Sequence, residues 1–400
     1  MQDDRTESNG TWTATAVRVV ALCFVLNMID GLDVLLLSYL APAIGAAWQL
    51  PATALGIVFS AGLAGMALGG LLVAPLADRF GRRRLILVAL TLMTLGMAGC
   101  ALSRGVLDLV IARVVVGTGI GTALACMAAL VAEFAPPRGR HFAVGVIQAG
   151  YPIGATITGF VTAWALGVAH WSQLFLAGAA LSALLLPLLA LGLPESTALR
   201  NEAAVTASPG QVLGDLLAPV RRANTLRLWL AAFAAFMTLY FIVSWIPRLA
   251  IEAGLDARHG IYAGAIYNIG AFAGTTGLAW FAGRFPLKRL ITGFLLASAV
   301  LLIAFGALRL PVPAELLLAF AIGVTLQGGF NGLYPLAASL YPAERRSAGL
   351  GWAMGIGRAG AVIGPLLGGY ILAREVPLVL LFAVFALPVV VSAICVRGVR

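Results

Sequence analysis

Two aspartates three residues apart, Asp30 and Asp33, stand inside the first long apolar run of the chain, Val19 to Ile44. Carboxylates at that spacing share one helical face, where their like charges repel. Counted from Arg18 at ~1.5 Å per residue, Asp30 lies roughly 18 Å along the run, near the middle of a bilayer. An ionised aspartate at that depth costs on the order of 3 kcal/mol even on the lenient insertion scale. A span keeps such a pair where it faces water, an ion or a partner charge. Asp30 and Asp33 are therefore candidate proton carriers, because protonation removes the charge before a site re-orients. The alternative is that one of them caps a helix broken at Gly31.

The matching cations are Arg113 and Arg358, the two basic residues that fall inside apolar runs. A buried guanidinium needs an anion, and a bidentate carboxylate fits it best. One arginine lies in each half of the chain, so together they can clamp a substrate carboxylate between halves. Alternatively, Arg113 is permanently paired with Asp30 or Asp33, and Arg358 lies near the end of its span. An organic carboxylate also needs apolar walls with a few polar markers. Candidates are Gln148, Tyr151, Tyr240, Trp245, Tyr267, Asn268, Gln327, Asn331 and Tyr334. The amides among them are the stronger choices, because lipid would leave them unpaired.

Other chemistries are excluded by what the chain lacks. Its 400 residues contain a single lysine, Lys288, preceded by Leu287, so no Walker A nucleotide loop exists. Cys23, Cys100, Cys126 and Cys395 lie in apolar runs without metal-ligand spacing and read as small core residues. His141, His170 and His259 fall at span ends or in loops, away from any relay through the membrane. No nucleophile–base pair, bound cofactor, metal or soluble domain is expected, and the chain reads as no enzyme.

The elements that position these residues follow from composition. The chain is 61% hydrophobic and 10% charged, against about 25% charged in soluble domains. No period-2 alternation appears, so the spans are helices. Six apolar runs (19–44, 53–77, 85–103, 107–132, 142–166, 171–193) precede a polar stretch, Pro194 to Arg227, and six follow (228–250, 261–282, 288–308, 314–340, 347–373, 377–396). This gives a tail (1–18), a six-helix bundle (19–193), a linker (194–227) and a second six-helix bundle with a short tail (228–400). The N-terminal stretch, with three acids and one arginine before Gly10, has the wrong sign for a cleaved leader.

Of 26 lysines and arginines, 19 lie on the side of the termini and linker, 5 on the other side and 2 inside spans. That asymmetry places both termini and the linker in the cytoplasm. It also explains the net charge of +10 without invoking nucleic acid. The halves repeat: Leu76 to Arg84 is echoed 205 residues later by Phe281 to Arg289, and Pro136, Arg140 and Gly145 recur 206 residues later as Pro342, Arg346 and Gly351. Repeated six-span halves mark a secondary transporter with its site at the midplane between them.

The loop Leu76-Ala77-Asp78-Arg79-Phe80-Gly81-Arg82-Arg83-Arg84 resembles the signature loop of the major facilitator superfamily, and Arg113-Val114-Val115-Val116-Gly117-Thr118-Gly119 and Pro194-Glu195-Ser196 resemble two further elements of it. Asp30-Gly31-Leu32-Asp33, Gly150 to Gly154, Leu239 to Pro247 and Gly351 to Arg358 resemble the superfamily's aromatic acid:proton symporter family. Ala74 stands where the superfamily usually has glycine, and the second copy of the loop has Gly283 and Pro286 in place of its acid and glycine. The resemblance implies a multi-pass protein of the bacterial inner membrane, a monomer, that imports benzoate- or hydroxybenzoate-like anions with protons and uses no cofactor beyond the proton gradient. The rival readings are another organic anion, or proton-driven export. Asp78, Arg79, Gly81, Arg82 and Arg83, with Glu133 and Arg346, read as a cytoplasmic latch, or as arginines that only set topology. Glycine runs such as Gly62, Gly65, Gly69, Gly70 and Gly360, Gly364, Gly368, Gly369 permit close helix contact.

Overall fold

The computed structural model describes residues 12–196 and 209–399. Most of the predicted N-terminal tail, residues 197–208 of the linker and Arg400 lie outside that range. With no water at membrane depth, each apolar run satisfies its backbone within itself, and long helices follow.

In chain order they are α1 (Ala14–Trp48), α2 (Ala52–Phe80), α3 (Arg82–Leu102), α4 (Val106–Phe134), α5 (Arg140–Ala165), α6 (Trp171–Gly192), α7 (Pro219–Glu252), α8 (Ala257–Ala282), α9 (Leu287–Ala307), α10 (Val312–Leu340), α11 (Ala343–Leu372) and α12 (Leu378–Gly398). Eleven of these are long and apolar enough to cross a membrane. The exception is α8, whose Arg258, His259, Asn268, paired threonines and five glycines lower its hydropathy. At 26 residues it is about 39 Å long and packs between α5 and α10. Its start is fixed by Asp256, which accepts from the His259 backbone N–H (2.8 Å) and faces the His259 ring (2.9 Å). Those contacts hold the Asp256 carboxyl below its ordinary range.

Several helices overrun the apolar runs that predict them. Thr13 caps α1 by accepting from Ala16 N at 3.1 Å, so the helix starts before Arg18. The second half of the predicted linker is helical: Pro209–Leu216 forms a short helix, and Pro219 starts α7 nine residues before its apolar run. Proline in the first turn forfeits only an N–H that has no intrahelical partner. A helix need not end where the lipid does.

Glycines set the packing pairs. A Cβ at Gly31 of α1 would lie 2.1 Å from the Tyr151 carbonyl oxygen of α5, and one at Gly117 of α4 would lie 2.0 Å from that of Gly62 in α2. In the second half, a Cβ at Gly360 of α11 would meet the Phe233 carbonyl of α7 at 2.1 Å, and one at Gly270 of α8 the Phe320 carbonyl of α10 at 2.1 Å. The pairs α1–α5 and α2–α4 thus repeat as α7–α11 and α8–α10, each helix moved on by six. The repeat is exact at one point of contact: the Ser38 hydroxyl of α1 donates to the carbonyls of Val243 (2.9 Å) and of Ser244 (2.8 Å), 206 residues on.

The two bundles meet mainly at the face opposite the termini. There Ser60 Oγ donates to the Val362 carbonyl (2.7 Å) and Phe59 packs edge-on against Trp245 (5.2 Å). Phe160 contacts Tyr262 (5.6 Å), and a Cβ at Gly369 would lie 2.5 Å from the Ala52 carbonyl. Toward the terminal face the bundles part. Cβ atoms at Gly145 of α5 and at Gly351 and Gly355 of α11 would meet nothing within 4 Å. Gln148, Tyr334 and Trp352 are exposed there. The molecule is sealed at the far face and opens to the terminal face.

Candidate transport site at the centre of the bundle

Asp30 and Asp33 fall within two residues of the midpoint of α1 and are 3% and 0% exposed. The helix runs unbroken through Gly31, so neither aspartate caps a break there. Among the described residues neither carboxylate joins an ion pair. Both oxygens of Asp33 and Oδ1 of Asp30 are buried without a hydrogen-bond partner. The two carboxylates act on each other, and each lies in the field of a different arginine: Arg358 for Asp30 and Arg113 for Asp33.

The arginines are not equivalent. Arg113, near the far-face end of α4, is 4% exposed and donates from Nη1 to the backbone carbonyl of Asp33 at 3.1 Å. Its guanidinium covers Gly62 of α2, where a Cβ would come within 3.2 Å of Nη2, and it also contacts Cys100 of α3. It is thus buried among three helices of its own half, whereas the other arginine of the expected clamp is not. Arg358, at the middle of α11, is half-buried and has no hydrogen-bond or ion-pair partner among the described residues. Its charge acts on Asp30, Tyr240 and Tyr334.

Around Arg358 the tyrosines gather from four helices. Tyr151 (α5) lies near Tyr240 (α7), Asp30 and Tyr267 (α8), and Tyr240 lies near Tyr334 (α10) and Asp30. Tyr240 stacks on Phe236 (6.0 Å), Phe236 meets Phe330 edge-on (4.7 Å), and Phe330 meets Tyr334 (5.9 Å). These four rings form one continuous wall. The amides divide by role. Asn268 donates to the Gly264 carbonyl (2.9 Å) and faces the Tyr39 hydroxyl. Asn331 donates to Thr275 Oγ1 (2.7 Å), tying α10 to α8. Gln148 is exposed and Gln327 half-buried, the latter closing a π turn, Gly323–Gln327, that widens α10 beside the cluster. Trp245 is the exception. It is fully buried, its indole N–H donates to the Pro365 carbonyl (3.1 Å), and it plugs the far face instead of lining the opening.

The latch residues contact their own half. Arg82 pairs with Glu133 (2.8 Å) and donates to the Ala129 carbonyl (3.2 Å), Ser196 donates to Glu133 (2.7 Å), and Arg83 donates to the Ala190 carbonyl. Gly81, at φ +97°, turns the chain where a Cβ would lie 2.4 Å from Glu195 Oε1. Asp78 and Arg79 are exposed. In the second half Arg345 forms an ion pair with Asp215 of the linker helix (2.6 Å), while Arg346 is exposed and joins none among the described residues.

Compared with known proteins, residues 23–312 match the family model described as Major Facilitator Superfamily. The chain belongs to that superfamily. As a superfamily member it is a membrane transporter and not an enzyme. It is 31% identical to a gallate transporter of Pseudomonas putida (94% of this chain, 90% of that one). It is 33% identical to a 3-(3-hydroxy-phenyl)propionate transporter of Escherichia coli (94% and 92%) and 28% identical to the 4-hydroxybenzoate transporter PcaK of Acinetobacter baylyi (94% and 90%). The narrower resemblance of the sequence motifs, to aromatic acid transporters, is borne out by these relatives. The fold superposes on the xylose transporter XylE from E. coli with a TM-score of 0.75 at 17% identity, covering 96% of each chain.

Some residues of this superfamily member's site escape a reading by charge and motif. Phe236 and Phe330 complete the aromatic wall but are ordinary apolar letters in apolar runs. Asn27, 1% exposed, donates to the Ile147 carbonyl (2.6 Å) while its own side-chain carbonyl oxygen is buried without a partner among the described residues, one turn from Asp30. Its amide inside an apolar run is a signal of the same kind that singled out Asn268.

Proposed function

We propose that this chain imports an aromatic carboxylate, benzoate- or hydroxybenzoate-like, by proton symport through alternating access. One observation carries the reading: Arg358, a half-buried cation with no partner among the described residues, stands near Asp30 and the wall of aromatic rings. A carboxylate on Arg358 competes with Asp30 for one cation, which couples protonation of Asp30 to occupancy by substrate. The rings of Tyr240, Phe236 and Phe330 supply the apolar, quadrupolar surface that an arene stacks on. The transporters of gallate, 4-hydroxybenzoate and 3-(3-hydroxy-phenyl)propionate among the relatives support the same cargo class.

The excess of arginine on the terminal face supports a cytoplasmic position for both termini, in the inner membrane of a bacterium. The open face is then the cytoplasmic one, and the state described is inward-facing. The protein works as a monomer and draws on the proton gradient alone. The test is uptake of labelled benzoate, hydroxybenzoates, gentisate and phenylpropanoid acids with and without a protonophore. Concentrative uptake of at least one acid that collapses with the gradient supports the reading. Accumulation that survives the protonophore refutes symport, and no uptake of any acid refutes the cargo.

A further inference from the structure

Tyr267 carries a polar atom that nothing in the mechanism uses. It is 1% exposed, and its hydroxyl is buried without a hydrogen-bond partner among the described residues. The neighbouring Tyr39 hydroxyl, equally buried, donates to the Ala155 carbonyl at 3.0 Å. A buried donor left unpaired costs about 1–3 kcal/mol, so an orphan of this kind requires a reason. A phenylalanine would fill the same space without that penalty.

Its position supplies the reason. Tyr267 lies next to Tyr240 and Tyr151, the two tyrosines that also border Asp30. Arg358 acts on Tyr240 but not on Tyr267, so Tyr267 lies farther from the cation than Tyr240 does, on the side where the remote edge of an arene held by Arg358 would fall. The α10 backbone is tailored to the same spot. A Cβ at Gly323, first residue of the π turn, would lie 2.1 Å from the Tyr267 carbonyl oxygen, so α8 and α10 touch there. Single π turns concentrate at functional sites.

We infer that the Tyr267 hydroxyl is the specificity element for a ring hydroxyl of the cargo, on the edge remote from the carboxylate held by Arg358. The inference rests on the proposed aromatic-acid reading and deepens it, from aromatic carboxylates in general to hydroxylated ones. A site built to hydrogen-bond a substrate hydroxyl discriminates strongly against the analogue without it, because the buried partner is then left unpaired.

The experiment compares 4-hydroxybenzoate, 3-hydroxybenzoate, benzoate and the matching methoxybenzoates as cargo or competitors in proteoliposomes, for the natural chain and for Tyr267→Phe. The natural chain should prefer a hydroxybenzoate over benzoate by about tenfold or more, one hydrogen bond's worth, and should discriminate against its methyl ether. In Tyr267→Phe the ratio of hydroxybenzoate to benzoate should fall toward one, read within the one variant so that expression level cancels. A ratio unchanged by the substitution overturns the inference. So does a natural chain that handles benzoate and hydroxybenzoates alike, which decides the matter even if the variant does not fold. Failure of the natural chain to carry any of these acids sinks the aromatic-acid reading instead, so the two failures are distinguishable.

Discussion

Asp30 and Asp33 share a helical face, yet their surroundings separate their tasks. Asp30 lies between the halves in the field of Arg358, whereas Asp33 lies inside the first half beside Arg113. On the proposed symport reading the driving proton belongs on Asp30, the carboxylate whose cation is also offered to the cargo. Asp30→Asn is expected to abolish concentrative uptake while leaving exchange of labelled for unlabelled substrate across the membrane; loss of both would assign Asp30 to binding instead. Arg358→Lys keeps the charge but not the forked donor geometry, so half-saturation should rise about tenfold or more. An unchanged value would mean that the guanidinium does not hold the carboxylate in bidentate fashion. Arg113 has a structural task. Arg113→Met removes the buried donor to the Asp33 backbone carbonyl and the cation nearest its carboxyl, a change that costs about 1–3 kcal/mol. Thermal unfolding in detergent should show that loss, and Asp33→Asn in the same chain should recover part of it.

At the scale of helices, function depends on how closely α1 approaches α5, because that contact sets Asp30 against Tyr151. Gly31→Ala would place a Cβ 2.1 Å from the Tyr151 carbonyl oxygen, a clash that backbone alone must relieve, at a typical cost of 1–3 kcal/mol. The expected result is a protein that still inserts but has lost most uptake, measured at matched expression; full activity would show that the α1–α5 distance is not critical. The helices themselves were readable from sequence, because hydropathy and the positive-inside asymmetry are properties of composition. So were Asp30, Asp33 and Arg358, since a charge at membrane depth stands out against its neighbours. What a residue faces was not readable. Trp245 and Tyr240 stand five apart on α7, and rotation by helical period alone could not show that one plugs the far face while the other lines the opening. Arg113 and Arg358 look alike as letters, and only the three-dimensional structure shows that the first is enclosed by Gly62, Cys100 and Asp33 while the second is half-buried. Phe236 and Phe330 gave no signal, because an aromatic ring in an apolar run is the ordinary case.

The molecule as a whole is asymmetric in one respect that its internal repeat does not dictate. The two bundles are equivalent helix for helix, yet hydrogen bonds between them gather at the far face. Ser38 donates to Val243 and Ser244 where α1 meets its own counterpart, and Ser60 donates to Val362 where α2 meets α11. Alternating access requires these contacts to be weak enough to break in each cycle. The two donating hydroxyls are worth about 1 kcal/mol each, a sum that shifts a two-state equilibrium by roughly thirtyfold. Removing them with Ser38→Ala and Ser60→Ala together should move the population toward the state open at the far face. A cysteine placed at Ala52, which packs against Gly369 in the seal, reports the change through its rate of labelling by an impermeant thiol reagent. The four native cysteines are replaced first. The double serine variant should label about ten times faster than its parent, and cysteines at Gly145 and Gly351, which face open space, should become easier to cross-link as that side closes. Faster labelling at Ala52 without faster cross-linking would mean that the seal frays locally. Change at both ends together would mean that the two halves rock as bodies about the contact of α1 with α7.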